Sequence, residues 1–236
     1  MQITLDHTKQ ENYNIRTFWF KPEKPLNYTA GQFIEMYLPH DKPDDRGIKR
    51  WFTLSSSPSE ALISITTKFA GEKASSFKKT LFGLKAGAKI KIVEPMGDFV
   101  LPKSTDIPMV FVAGGIGVTP FRSMIKWLVD NQQSRDIQVL LAANQPKDLV
   151  FEDLFKGYTK KLIKIVAEPD SAWRGQTGRL TADTILELTG PATNKRIYVS
   201  GPEPMVEALE KDLREHKVAK SQLVLDFFPG YLATLK

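Results

Sequence analysis

The sequence predicts two domains in succession, an antiparallel β-barrel followed by an α/β domain built on a parallel sheet. Short segments rich in aromatic and β-branched residues, separated by turns, fill the first hundred positions. After Pro102, apolar runs alternate with amphipathic helical patterns. Apolar strands that alternate with helices indicate a parallel sheet covered on both faces. We place the first domain at residues 1–102 and the second at 106–236.

The barrel half shows the period-two pattern of half-buried strands. Within residues 89–93, for example, lysines fall on one face and isoleucines on the other. The predicted barrel strands are residues 16–20, 32–38, 50–56, 62–67 and 89–93.

In the second half, each apolar run leads into a helix or a loop. The first helix is expected to have Thr119 as its N-cap and Pro120 at its first position. The second carries Phe151, Leu154 and Tyr158 at helical spacing. Ligands of such sheets bind beyond the carboxyl ends of the strands. The predicted strands are residues 109–113, 137–143, 162–166, 196–200 and 223–225.

Composition excludes several kinds of chemistry. The 236 residues include no cysteine, so the chain can form no disulfide and hold no iron–sulfur cluster on thiolates. The three histidines lack the spacing of metal ligands, so we expect no metal site. No apolar stretch is as long as a membrane span, and no secretory signal pattern is present, so a cytoplasmic protein is expected.

The net charge of +6 comes from scattered lysines and arginines. Scattered charges argue against nucleic-acid binding. They fit a solvated basic surface, an acidic protein partner or an anionic cofactor.

Two glycine turns follow strands of the α/β half, at residues 114–120 and 200–205. Glycines let the backbone approach a phosphate, and the N-terminus of the following helix offers unpaired N–H groups. Either turn alone also fits a tight connection that binds nothing. At two strand ends of one sheet, they predict a ligand cleft between them.

Two segments of the barrel half carry complementary chemistry. Residues 50–56 place Arg50 beside aromatics and hydroxyls, and the forked donors of arginine suit phosphate oxygens. Residues 71–77 begin a short helix whose amides, with the Ser75 hydroxyl, can hold a phosphate. Read alone, the first also fits a strand with a surface arginine, and the second an ordinary helix cap.

Taken in order, these segments resemble the ferredoxin–NADP reductase superfamily over essentially the whole chain. Residues 50–53 match its flavin motif, Arg-x-Tyr-Ser/Thr, and residues 71–75 its phosphate loop. The later matches are residues 94–99 at the turn that closes the barrel, 114–120 at the nicotinamide loop and 200–205 at the Cys-Gly-Pro-x-x-Met segment.

The resemblance implies roles for individual residues. Arg50 would bind the FAD pyrophosphate, Phe52 would pack on the isoalloxazine, and Thr53 would hydrogen-bond the flavin nitrogen that accepts the hydride. Thr53 and Ser200 would thus be the residues at the reacting atoms. The other implied cofactor-binding residues are Trp51, Thr66, Thr67, Lys68, Lys73, Ala74, Ser75, Gly114, Gly115, Thr119, Pro120, Asn144, Asp148, Gly201, Pro202, Met205, Phe228 and Tyr231.

The chain departs from the family pattern at three places. Phe52 replaces the usual tyrosine, which removes a hydroxyl contact and predicts weaker FAD binding. Ser200 replaces a cysteine beside the nicotinamide. Near the C-terminus, Phe227, Phe228 or Tyr231 is expected to stack on the flavin, with core packing as the alternative.

The implied activity is hydride transfer from NADH or NADPH to FAD, followed by electron transfer to a separate acceptor. The acceptor is a protein, acidic in one interpretation, or a small molecule. Three alternatives remain open: a reductase of diffusible flavin or ferric chelates, a non-catalytic electron-transfer subunit, and a plain nucleotide-binding module. The sequence does not indicate the oligomeric state.

Asp148, just after the second strand of the α/β half, predicts a preference for NADH. A carboxylate there would accept hydrogen bonds from ribose hydroxyls and repel the extra phosphate of NADPH. Lys147 and Arg174 are the nearby residues that would instead favour NADPH. A cap on the following helix is the alternative role of Asp148.

Overall fold

Six antiparallel strands form the first sheet of the structure, a computed structural model that describes residues 1–227. They are β1 (Gln2–Gln10), β2 (Ile15–Pro22), β3 (Phe33–Tyr37), β4 (Lys49–Thr53), β5 (Ile63–Lys68) and β6 (Lys89–Ile92), in the order β4-β3-β6-β1-β2-β5. The sheet curls into a barrel that is not fully closed. Within residues 1–227, the edge strands β4 and β5 form no ladder of backbone hydrogen bonds with each other. The amide of Ser55, just after β4, nevertheless donates a hydrogen bond to the Ser64 carbonyl of β5 at 2.8 Å. The predicted antiparallel barrel is confirmed, except that its seam is open.

The alternation in the sequence explains the barrel core. Ile90 and Ile92 are buried while Lys89 and Lys91 are exposed, as the pattern predicts. The helix α1 (Ser76–Gly83) adds Phe77 and Leu81 to the same core. Strand β1 was not predicted, because only its first residues alternate and its second half is exposed.

Six parallel strands form the second sheet. They are β7 (Met109–Gly114), β8 (Ile137–Ala143), β9 (Lys161–Val166), β10 (Gln176–Thr177), β11 (Arg196–Ser200) and β12 (Leu223–Asp226), in the order β10-β9-β8-β7-β11-β12. The helices are α2 (Thr119–Asp130), α3 (Glu152–Lys156), α4 (Ala182–Thr189) and α5 (Glu203–Glu215). One apolar core lies against α2 and α3, and another against α4 and α5. The predicted parallel α/β arrangement is confirmed.

Two helix starts differ from the prediction. Thr119 is the first residue of α2 rather than its N-cap, because a one-turn 3₁₀ helix, Gly115–Val118, leads directly into it. The Thr119 hydroxyl donates to the Ile116 carbonyl at 3.2 Å instead. Helix α3 has only five residues and starts after Phe151, whose φ of 64° lies outside the helical range. Its N-terminus has no side-chain cap, so the suggestion that Asp148 caps it was wrong.

The residues between the sheets, 93–108, contain no helix or strand of their own. The domain boundaries at residues 102 and 106 stay a prediction. Among residues 1–227, no helix is long and apolar enough to cross a membrane. The same residues contain no cluster of three side chains suited to holding a metal ion.

Candidate cofactor site

A cleft lies between the barrel and the carboxyl ends of the parallel strands. The order of the second sheet reverses between β7 and β11, because the chain builds β8 to β10 on one side of β7 and then crosses to the other. Such a switch point is where open α/β sheets bind ligands. The cleft is lined by Trp51, Phe52, Thr53, Thr66, Thr67, Ile116, Gly117, Thr119, Ser200, Gly201, Pro202, Glu203, Asp226 and Phe227.

The two glycine turns meet in this cleft. A Cβ on Gly117 would lie 2.2 Å from the Ser200 carbonyl oxygen, and one on Gly114 would lie 2.3 Å from the sulfur of Met205. A side chain at Gly117 would meet backbone and push the turns apart, whereas one at Gly114 would displace the end of the Met205 side chain. Gly117 is therefore required for packing one turn against the other, a role independent of any phosphate.

Ser200 and Asp226 form a polar pair on the α/β side. They are directly paired at the ends of the parallel strands β11 and β12, and the Ser200 hydroxyl donates to Asp226 Oδ2 at 3.1 Å. Burial raises the pKa of Asp226 to about 6, and the hydrogen bond from Ser200 only partly offsets this effect. Sequence reasoning missed Asp226 as a site residue. The signal was available, because residues 196–200 and 223–225 were both predicted as parallel strands ending at one edge.

Strand β4 presents successive residues to different surroundings. Phe52 is buried in the barrel core with its ring 5.9 Å from that of Phe77, and it reaches the cleft from there. Trp51 is 43% exposed, and Thr53 is buried at the strand end. All three line the cleft, so Trp51 and Phe52 both offer an aromatic surface beside the Thr53 hydroxyl.

Thr66 belongs to a chain of buried hydroxyls at the open seam. Its Oγ1 lies 2.9 Å from both Thr17 Oγ1 and Ser55 Oγ, and Ser55 Oγ lies 3.0 Å from Ser64 Oγ. These bonds hold the end of β4 against β5. The Thr66 hydroxyl therefore has hydrogen-bond partners within the barrel, although the Thr66 side chain also lines the cleft.

Arg50 and the N-terminus of α1 converge on one carboxylate, that of Asp44. Its Oδ1 accepts a bond from Arg50 Nη2 at 3.4 Å, and its Oδ2 accepts bonds from the Ser76 amide at 3.0 Å and Arg46 Nη2 at 2.9 Å. Ser75, the N-cap of α1, uses its own Oγ to accept from the Lys78 amide. Residues 73–75 lead into this end of α1, so the predicted phosphate ligands lie in one region.

This donor set fits a phosphate group. Two guanidinium groups and a helix amide are typical ligands of phosphate oxygens, and here they already hold an anionic group. Within residues 1–227, Arg46 Nε is also buried without a hydrogen-bond acceptor. The arrangement is thus chemically suited to the FAD pyrophosphate.

Asp148 contacts the barrel domain. Its Oδ1 accepts hydrogen bonds from Tyr13 at 2.9 Å and from Lys68 Nζ at 3.0 Å, and the residue is 7% exposed. The hydrogen bond to Asp148 is the main cause of a raised pKa at Tyr13. A contact with ribose stays a prediction, and this geometry counts against it because the carboxylate already has two partners. Asn144 is exposed at the end of β8.

A second polar contact joins the domains beside the cleft. Arg122 of α2 forms an ion pair with Glu60 and donates to the Ser55 carbonyl at 3.0 Å. Next to it, Ser123 Oγ donates to the Ser56 carbonyl. Both partners of the ion pair are largely buried. The helix after the first glycine turn therefore holds the end of β4 in place.

The predicted site residues thus separate into groups. The cleft contains the residues expected beside the flavin ring and part of those expected beside the nicotinamide, namely Thr119, Ser200, Gly201 and Pro202. The predicted phosphate ligands around α1 form a second group. Phe228 and Tyr231 lie outside the described residues. The predicted residues that do not line the cleft are Arg50, Lys68, Lys73, Ala74, Ser75, Gly114, Gly115, Pro120, Asn144, Asp148 and Met205.

Comparison with known proteins finds an oxidoreductase domain in the second half of the chain. Residues 111–211 match the model of the oxidoreductase NAD-binding domain. The chain is 30% identical over 220 residues to the glycine betaine monooxygenase reductase subunit of Chromohalobacter salexigens, covering 88% of this chain and 58% of that protein. It therefore spans somewhat more than half the length of this relative.

Solved structures share the fold over almost the whole chain. The flavohem-like FAD/NAD-binding domain of nitric oxide dioxygenase from Vibrio cholerae superposes with a TM-score of 0.80 at 21% identity, covering 96% of this chain and 98% of that one. A ferredoxin–NADP⁺ reductase from Neisseria gonorrhoeae, with bound FAD and NADP, gives 0.79 at 15% identity, covering 96% and 97%. The chain therefore shares the two-domain fold of the ferredoxin–NADP reductase-like flavoproteins, and its sequence is similar to that of a reductase subunit.

Proposed function

We propose that this chain is a reductase that takes a hydride from NAD(P)H onto FAD and passes electrons to a separate acceptor. The observation that carries the proposal is the cleft in which Thr53 of the barrel and Ser200 of the parallel sheet line the same space. A flavin held by the first domain and a nicotinamide held by the second would meet there. The reductase relative supports the same assignment.

The chain's own residues bind, orient and shield the reactants. Bound FAD supplies the redox chemistry, accepting a hydride and releasing electrons. Trp51 and Phe52 offer the ring surface, and Thr53 offers a hydroxyl for the reacting edge of the flavin. Ser200 and Asp226 form the polar wall on the nicotinamide side. Arg50, Arg46 and the α1 N-terminus hold the pyrophosphate.

The acceptor is proposed to be a separate protein that is acidic. The support is the +6 charge of the chain and the reductase-subunit relative. Docking between opposite charges weakens as salt rises. Turnover with such an acceptor should therefore fall with ionic strength, whereas flavin reduction by nicotinamide should change little. Salt-independent turnover with every protein acceptor would favour the reductase of diffusible flavin instead.

We propose NADH as the preferred donor. The support is the carboxylate of Asp148 after β8, where sheets of this kind meet the adenosine ribose. Asp148 is also paired with Lys68 and Tyr13 of the barrel domain. The specificity constants for NADH and NADPH test the preference.

A spectrum of the purified chain tests the main proposal. We expect a yellow protein with non-covalent FAD, bleached on anaerobic addition of NADH. A chain that takes up neither FAD nor FMN would contradict a flavoprotein reductase. Bound flavin that no nicotinamide reduces would leave only the non-catalytic electron-transfer subunit. Release of FMN alone would overturn the choice of FAD.

A further inference from the structure

The loop before β4 contains a carboxylate that is held as a bound anion would be. Asp44 accepts four hydrogen bonds: to Oδ1 from Arg50 Nη2 and the Arg46 amide, and to Oδ2 from Arg46 Nη2 and the Ser76 amide. Its own amide donates to Ser76 Oγ at 2.9 Å. Burial would raise the pKa of Asp44, but the bonds from Ser76 and Arg46 outweigh it and lower the pKa.

The same donors are the ones proposed for the FAD pyrophosphate. A phosphate at the N-terminus of α1 needs the Ser76 amide and the nearby guanidinium groups. Two anions cannot share these donors, because like charges a few ångströms apart repel and each donor points at one acceptor. FAD can therefore use the full set only if the Asp44 side chain moves away.

We infer that Asp44 is an intramolecular competitor of the FAD pyrophosphate, which FAD displaces from Arg50 and the α1 N-terminus when it binds. This inference rests on the proposed function and adds to it a determinant of flavin affinity. Without FAD, the carboxylate accepts hydrogen bonds from both arginines and from the helix end. When FAD binds, breaking the hydrogen bonds of the Asp44 carboxylate costs free energy that opposes binding. FAD is therefore held less tightly than it would be without this carboxylate, and it exchanges more readily.

Asp44→Asn separates this role from a purely structural one. The amide oxygen can still accept a bond from Ser76, but the negative charge is gone. Asp45→Asn is the matched control, because Asp45 is the exposed neighbour and the charge change is the same. Asp44→Ser, which keeps a side-chain oxygen that can accept hydrogen bonds but no charge, is a second variant if the asparagine form folds poorly.

The measurement is the dissociation constant of FAD and of riboflavin, by fluorescence titration of the flavin-free full chain. Riboflavin has the same ring system but no phosphate. We expect Asp44→Asn to bind FAD about tenfold more tightly and riboflavin unchanged. We also expect a lower melting temperature without flavin, because a charged partner of the helix end is lost. Asp45→Asn should behave as the unmodified protein.

Several results would overturn the inference. Unchanged or weaker FAD binding in Asp44→Asn would make Asp44 a structural support of Arg50. Equal tightening of FAD and riboflavin, or equal tightening in Asp45→Asn, would show that the effect does not arise at the pyrophosphate. If the unmodified chain bound neither flavin, the proposed function itself would fail, which is a different outcome from bound FAD that ignores Asp44.

Discussion

The hydroxyl of Ser200 donates a hydrogen bond to Asp226 across two adjacent parallel strands, at 3.1 Å and in direct register. Both side chains line the cleft between the domains. Because burial raises the pKa of Asp226 to about 6, its charge changes close to neutral pH. The charge of the Asp226 carboxyl, on this side of the cleft, therefore changes with modest changes in pH.

The first prediction concerns stability and pH at Asp226. The folded-state pKa of about 6 lies above the usual 3.8, so the folded protein binds this proton more tightly than the unfolded chain. Stability from this group is thus full at low pH and falls as pH rises from about 4 to 6. Asp226→Asn removes the cost of burying the charge, so it should stabilise the protein more at pH 8 than at pH 5, by about 1 kcal/mol.

Urea unfolding at the two pH values measures this difference. Asp45→Asn, at an exposed position, is the control and should give the same small change at both. An equal effect of Asp226→Asn at pH 5 and pH 8 would show that Asp226 is ionised throughout.

The second prediction concerns Thr53. Thr53→Ala should slow flavin reduction by the equivalent of about 1–3 kcal/mol, because one hydrogen bond to the reacting flavin is lost. Thr53→Ser keeps the hydroxyl and should retain most of the rate. Anaerobic stopped-flow with saturating NADH measures both. An alanine variant as fast as the unmodified protein would make Thr53 a strand residue with no part in hydride transfer.

The third prediction concerns the contact between the domains. Arg122→Ala leaves Glu60 largely buried without its partner, so the free energy of unfolding should fall by about 3 kcal/mol. Lys126→Ala, on the same helix, removes the i,i+4 pair with Asp130 and should cost less than about 1 kcal/mol. Chemical denaturation compares the two. Equal losses would mean that the Arg122 pair contributes no more than a surface pair.

The fourth prediction concerns the choice of nicotinamide. If Asp148 disfavours NADPH, Asp148→Asn should narrow the ratio of kcat/KM for NADH over NADPH. Tyr13→Phe removes one hydrogen bond to the carboxylate but leaves its charge, so it should lower stability without changing that ratio. A better rate with NADPH in the unmodified protein would show that the assigned preference is wrong.

Periodicity and turn chemistry predicted most of the fold, because the burial of a strand or helix on one or both faces sets the spacing of its apolar residues. Strand β11 begins and ends where predicted, at Arg196 and Ser200. Two features of the fold have no such pattern of apolar residues in the sequence. The second half of β1 is exposed on both faces, and the positive φ of Phe151, after which α3 begins, is one that the residue type does not predict.

The site was predictable where a motif encodes it locally. The glycine turns and the segment around Thr53 do meet in one cleft. The roles of Asp44 and Asp148 could not be predicted, because their partners lie in distant segments. Asp44 meets Ser76, which is 32 positions away, and Asp148 meets Tyr13, which is 135 positions away.

The seam of the barrel depends on the neighbouring domain. The end of β4 is attached to β5 by Ser55, and the same turn is held from α2 by Arg122 and Ser123. The two sheets are therefore not freely interchangeable modules. A chimera that joins this barrel to the α/β half of a relative would need an arginine and a hydroxyl at these two helix positions. Recombination between members of such a family is thus constrained by the helix that follows the glycine turn, as well as by the residues that touch the ligands.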